Sequence, residues 1–196
     1  FFAITPIYWV KLNWLMPSYI TGIIIAALFI KKKWITIQLY FSICFHILIG
    51  LQVLCNLAPI KSDDTWIGWE ELAIETEHLL KQNPNSFVFS ADNYKTTAAL
   101  NFFLERKVYA QNIIGKNALH FDYVDTNLSL LDGKNAIFLD SDTRFKNKNK
   151  DTNSHRTELK DYFDTITQLA PIIISVKGEE VRKFWVYYCT NYQAKK

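Results

Sequence analysis

The first sixty residues contain no aspartate and no glutamate. Their only charges are Lys11, Lys31, Lys32 and Lys33, a block of +4. The rest of the chain holds 18 of the 22 basic side chains and all 19 acidic ones, a net of −1. A uniformly water-soluble globule does not distribute charge this way, so two kinds of protein meet near residue 60. Glycine and proline are scarce, at 6 and 5 residues, and 49% of the chain is hydrophobic, which excludes collagen-like and disordered classes. No basic stripe interleaves with aromatics, so nucleic acid is not an expected partner. The sequence has no glycine-rich phosphate loop, no HExxH and no paired CxxC. His78, His120 and His155 lack metal-ligand spacing. Cys44 and Cys55 lie three turns apart on one helix and cannot bridge, and Cys189 stands alone in the later part. The first residue is Phe1, so the chain reads as the C-terminal piece of something longer.

What the acid-free block does contain is two long uncharged runs, Leu12–Ile30 of 19 residues and Trp34–Ile60 of 27. A helix needs ~20 apolar residues to cross ~30 Å of hydrocarbon, so both runs are expected to span a membrane. Ser18, Thr21, Gln38, Ser42, His46, Gln52 and Asn56 interrupt them mildly and suggest helices packed on other helices. Trp14, Tyr19 and Trp34 fall near the ends, where aromatic rings favour the headgroup layer. The dense cluster Lys31-Lys32-Lys33 lies between the runs, and the positive-inside rule puts it in the cytoplasm. Everything after Pro59 is then outside.

Beyond Ile60 the pattern becomes that of a folded domain. Lys61 to Thr65 is a polar linker, and Trp69, Leu72, Ala73, Thr76, Leu79 and Leu80 fall on one helical face. Asn83-Pro84-Asn85 ends that helix. Phe87-Val88-Phe89, Val108-Tyr109-Ala110 and Ala136 to Leu139 read as strands. A helix from about Tyr94 to Leu104 separates the first two, with Ala98, Ala99, Phe102 and Phe103 expected inward. Arg144 to Ser154 reads as a solvated loop, residues 156–164 as a short helix, and Ala170 to Tyr188 as a hairpin turning at Lys177 to Glu180. The expected architecture is therefore two transmembrane helices, about 12–30 and 34–60, within residues 1–60. A small extracytoplasmic α/β domain follows in residues 61–196, with a mostly parallel sheet and a C-terminal β-hairpin. Ligands of such sheets sit at the C-terminal strand ends, here Ser90–Tyr94 and Asp140–Asp142. Asp140 and Asp142 are weak candidates for holding a divalent cation, and a polar strand exit is the blander and better-supported reading.

Several segments together resemble one family. Lys11-Leu12-Asn13-Trp14-Leu15-Met16-Pro17-Ser18-Tyr19 resembles the K-x-N-W-x-x-P-x-Y segment of bacterial glycosyltransferase family 39. That family is related to the dolichyl-phosphate-mannose protein mannosyltransferases and to the lipid A aminoarabinose transferase. Gly68 to Ala73 is similar to its GW-x-x-L-A start, and Ala91 to Leu100 to its D-x-Y-x-x-A-A-x-L segment. Asn117 to Tyr123 and Gly133 to Phe138 continue the series in order, so the resemblance spans about Lys11 to Leu139. Two departures leave the acceptor unassigned: Met16-Pro17-Ser18 at the helix opening, and Val124 where relatives usually carry tryptophan.

The resemblance implies a multi-pass enzyme of the GT-C superfamily in the inner membrane. It would move a sugar from a polyprenyl-phosphate donor to an extracytoplasmic lipid, glycan or protein, among membrane lipids. The family's catalytic carboxylate lies in an earlier outer loop, so no catalytic residue is expected in this chain. A divalent cation would belong to the full-length enzyme. Lys11 is the candidate for the donor phosphate, weighed against an interfacial anchor that snorkels to the headgroups. Asp92, Tyr94 and Lys95, at a strand exit and helix start, are the candidates for acceptor contact, weighed against a helix cap. The rival classes are an anchored extracytoplasmic binding or sensor domain and a structural cap of a membrane protein.

Overall fold

In a computed structural model of the chain, residues 16–55, 57–58, 67–92, 94–124, 127–142 and 157–194 are described. Lys11, the linker Lys61 to Thr65, Asn93 and the loop Arg144 to Ser154 lie outside them. The chain divides into two units, Phe1–Cys55 and Asn56–Lys196.

Among its described residues the first unit has two helices, α1 (Met16–Phe29) and α2 (Lys32–Cys55). The expectation of two membrane-length spans is corrected here. Helix α1 has 14 residues, and at ~1.5 Å per residue it falls short of ~30 Å of hydrocarbon. Its expected start at Leu12 lies outside the described residues. Helix α2 has 24 residues and is the one described helix long and apolar enough to cross a membrane. It begins at Lys32, taking in two of the three lysines, and ends at Cys55. None of its side chains is buried, and apolar residues cover it all round, so it has no polar stripe to turn toward water. Three of its polar side chains, Thr36, Ser42 and His46, bond within the helix itself. Thr36 Oγ1 donates to the Lys32 carbonyl at 3.2 Å, and His46 Nδ1 lies 2.7 Å from the Ser42 carbonyl. These internal bonds lower the cost of setting such residues in lipid without a partner helix.

The second unit is built on a six-stranded sheet: β1 (Ser86–Ser90), β2 (Val108–Tyr109), β3 (Asn135–Ser141), β4 (Phe163–Gln168), β5 (Ile172–Val176) and β6 (Glu179–Tyr192). The order is β2-β1-β3-β6-β4, with β5 also on β6. Only β2–β1 and β1–β3 are parallel; β6 runs antiparallel to β3, β4 and β5. The sheet is thus mixed and mostly antiparallel, which overturns the expected mostly parallel one. The hairpin is present, turning at Lys177 (φ 54°) and Gly178 (φ 81°), the positive pair that a tight two-residue turn requires. Its second strand is not an edge strand, however. Strand β6 is 14 residues long and lies inside the sheet, with β3 on one side and β4 and β5 in succession on the other. The expected helix 156–164 is only a helical turn at 157–159, after which β4 begins at Phe163.

Helices α3 (Trp69–Gln82) and α4 (Lys95–Phe103) cover one face of this sheet. Helix α3 buries Trp69, Leu72, Ala73, Thr76 and Leu80, with Glu70 and Glu71 in its first turn and Lys81 in its last, as the helix dipole favours. Helix α4 turns differently from its expected face. It buries Thr96, Thr97 and Leu100 and leaves Phe102 82% exposed. Two 3-10 turns, Gln111–Ile114 and Leu128–Leu131, pack the second face together with Leu159. That face holds a ring cluster in which Phe89 stacks on Phe138 at 4.8 Å and on Phe163 at 5.7 Å. The short α5 (Phe121–Val124) caps a small satellite core.

Candidate functional site

The residues singled out at the C-terminal strand ends do come to one edge of the sheet, because Ser90 on β1 is opposite Leu139 on β3. Strand alternation then separates them. Asp140 follows Ala136 and Phe138 onto the ring-cluster face. Asp92 turns to the α4 face, where Ser90 Oγ donates to its Oδ1 at 3.0 Å and Thr96 Oγ1 donates to its Oδ2 at 2.6 Å. The Thr96 backbone N–H also donates to Asp92, at 3.2 Å. Ser90 Oγ lies 2.8 Å from Thr97 Oγ1, which donates to the Tyr109 carbonyl at 3.0 Å. The carboxylate therefore engages one of the donors that a helix start leaves open. The hydroxyls tie β1, α4 and β2 into a joint. Tyr94, exposed by 39%, and Lys95 stand at the same helix start, at the edge of this joint.

On the opposite face, Asp140 and Asp142 are both nearly buried, at 9% and 8%. Trp185 Nε1 lies 3.4 Å from Asp142 Oδ2, and Lys183 Nζ lies 4.1 Å from the Trp185 ring. The Asp142 backbone N–H donates to the Lys183 carbonyl at 2.8 Å, so the strand exit stays paired with β6. Among the described residues no three His, Cys, Asp or Glu side chains gather where a metal ion could be held. The Asn117–Asp122 segment is likewise bound up locally. Asp122 Oδ2 accepts the Ala118 N–H at 2.9 Å, and Asn117 Oδ1 accepts the Leu119 N–H at 3.0 Å.

A larger concavity than the strand-end sites offer lies between α3 and the end of α4. It is an open groove of about 590 Å³, within the size range of small-molecule sites. Ala73, Phe103 and Leu104 give it an apolar wall, and Glu70, His78 and Lys81 bring polar groups to it. Arg106 pairs with Glu77 at 3.6 Å on the same rim. Of the two rings expected inward, Phe103 lines this groove and Phe102 is left 82% exposed.

A third feature joins the start of the unit to its sheet. Arg182 is 2% exposed, its guanidinium lies 3.7 Å from the Trp69 ring, and its Nε donates to the Ile67 carbonyl at 2.6 Å. Gly68 between them has φ 84°, and a Cβ there would meet Ile174 Cγ2 at 2.9 Å. The Gly68-Trp69 pair is thus set by a left-handed turn and a stacked arginine.

No family model matches the chain, and neither a curated protein nor a solved structure matches it.

Proposed function

We propose that the chain is part of a membrane-bound glycosyltransferase that takes its sugar from a polyprenyl-phosphate donor, with residues 61–196 on the outer face of the cytoplasmic membrane. The observation that carries this reading is α2, a 24-residue helix apolar all round and uncovered, joined in sequence to an α/β unit. Orientation follows from its flanks. Lys31, Lys32 and Lys33 stand at its start, while Lys61 is accompanied by Asp63 and Asp64 after its end. Counting lysines within ~15–20 residues of the span, the start is the cytoplasmic side. An outer domain has no access to nucleotide sugars made inside, so a lipid-linked sugar is the donor of suitable chemistry.

The transferase class and the multi-pass organisation of the whole enzyme rest on the ordered resemblance from Lys11 to Leu139. Within the unit, the groove between α3 and α4 suits an acceptor better than Asp92 does. It combines the Phe103 ring with carboxylates, whereas Asp92 is already bonded to Ser90 and Thr96. Lys11 remains the candidate for the donor phosphate. Lys11→Ala in the full-length enzyme should raise the donor concentration needed for half-maximal turnover while membrane insertion is unchanged. Unaltered turnover at limiting donor would contradict that role.

A further inference from the structure

We infer that the cavity at the N-terminal ends of β1 and β2 is an anion site for a phosphate group, with Arg106, Lys107 and Lys134 as its cations. The inference does not depend on the transferase reading. The cavity is about 260 Å³, and Leu80, Val88, Leu104 and Val108 form its apolar floor. Its polar lining residues are Asn85, Ser86, Tyr109 and the three cations, with no carboxylate among the described lining residues. In that it differs from the larger groove beside it, where Glu70 and Glu77 take part.

The sheet register explains why the cations converge. Strand β1 lies between β2 and β3. Ser86 is opposite Asn135, so Lys134 arrives one residue earlier from the β3 side. Val88 is opposite Val108, so Arg106 and Lys107 arrive from the β2 side. Neighbouring strands are ~4.8 Å apart, which brings the two basic segments to either side of Ser86.

Arg106 retains donors beyond its 3.6 Å contact with Glu77, since a guanidinium carries five N–H groups. Lys107 Nζ lies 5.2 Å from the Tyr109 ring, a contact that leaves its charge in place. Three cations match the multiple acceptor oxygens and the charge of a phosphate better than they match a single carboxylate. The phosphate can belong to a soluble ester or to a lipid headgroup, and the experiment separates the two.

The full chain in nanodiscs of zwitterionic lipid is titrated with inorganic phosphate while the backbone amide resonances of Ser86, Lys107 and Lys134 are followed. A saturable shift is expected, absent with sodium chloride at matched ionic strength. Lys134→Gln should weaken it about tenfold, the equivalent of ~1.4 kcal/mol. Lys107→Gln should do the same. Both lysines are exposed, so unchanged resonances elsewhere will confirm that the variants fold. In a second arm, the lipid is replaced by phosphatidylglycerol with no added phosphate. The same shifts there identify a headgroup as the source, and shifts confined to the first arm identify a soluble phosphate. No saturable shift in either arm, or equal affinity in both variants and the parent, overturns the inference.

Discussion

Arg182 is the residue on which the start of the α/β unit depends. It stacks on Trp69 and holds the Ile67 carbonyl, and it is nearly wholly buried. Arg182→Ala removes the stack and the bond and leaves a void, so a loss of roughly 2–4 kcal/mol is expected in chemical denaturation. Arg182→Lys should recover less than half of it, because an ammonium keeps the charge but not the planar stack. A full rescue by lysine would mean that charge alone matters there. Cys189 makes the stability depend on pH. Burial pushes its thiol up from 9.0 to about 12, and Tyr192 rises from 10.0 to about 12 through burial and the nearby Asp132 and Tyr162. Both groups bind their protons more tightly in the folded chain. Their contribution is therefore fully present below pH 9.0 and is lost as pH rises toward about 12. The denaturation midpoint should fall between pH 8 and pH 11, and Cys189→Ala should make the fall shallower; a midpoint that rises over this range would contradict the account.

At the scale of elements, helix α3 was legible because Trp69, Leu72, Ala73, Thr76 and Leu80 repeat at helical spacing with acids at the start. The phase of α4 was not legible. Phe102 and Phe103 are the more hydrophobic residues, yet Asp92 capping Thr96 and Ser90 meeting Thr97 fix the helix with Leu100 inward. Tertiary hydrogen bonds outweighed side-chain hydrophobicity. Asp92→Ala should cost about 1 kcal/mol and speed hydrogen exchange in the first turns of α4. Unchanged exchange at Ala98 and Ala99 would remove the cap from the account. Strand β4 was hidden because Leu159, Tyr162 and Phe163 mimic a helical face, while Asp164, Thr165 and Thr167 give it a polar outer side. The sheet direction was misread for a related reason. Alternation of strands and helices describes β1 to β3 well, but it carries no information on where a long final strand inserts. Strand β6 enters beside β3, and three of the five strand pairings are then antiparallel.

For the whole molecule, the charge split near residue 60 is the most informative sequence feature, and the chain divides into units at Cys55 and Asn56. Length, by contrast, was overread: the 19-residue run Leu12–Ile30 yields a described helix of only 14 residues. The candidate site was partly legible. The strand-end residues were found, but their placement on opposite faces of the sheet depends on a register that periodicity alone does not supply. If α2 crosses the membrane as proposed, the α/β unit lies outside the cytoplasm. Alkaline phosphatase, which is active only outside the cytoplasm, is fused after Lys196, and a reporter active only in the cytoplasm is fused at the same point in a matched chain. An active phosphatase and a silent cytoplasmic reporter are expected. A silent phosphatase with an active cytoplasmic reporter would place the unit inside and contradict the lipid-linked donor with it.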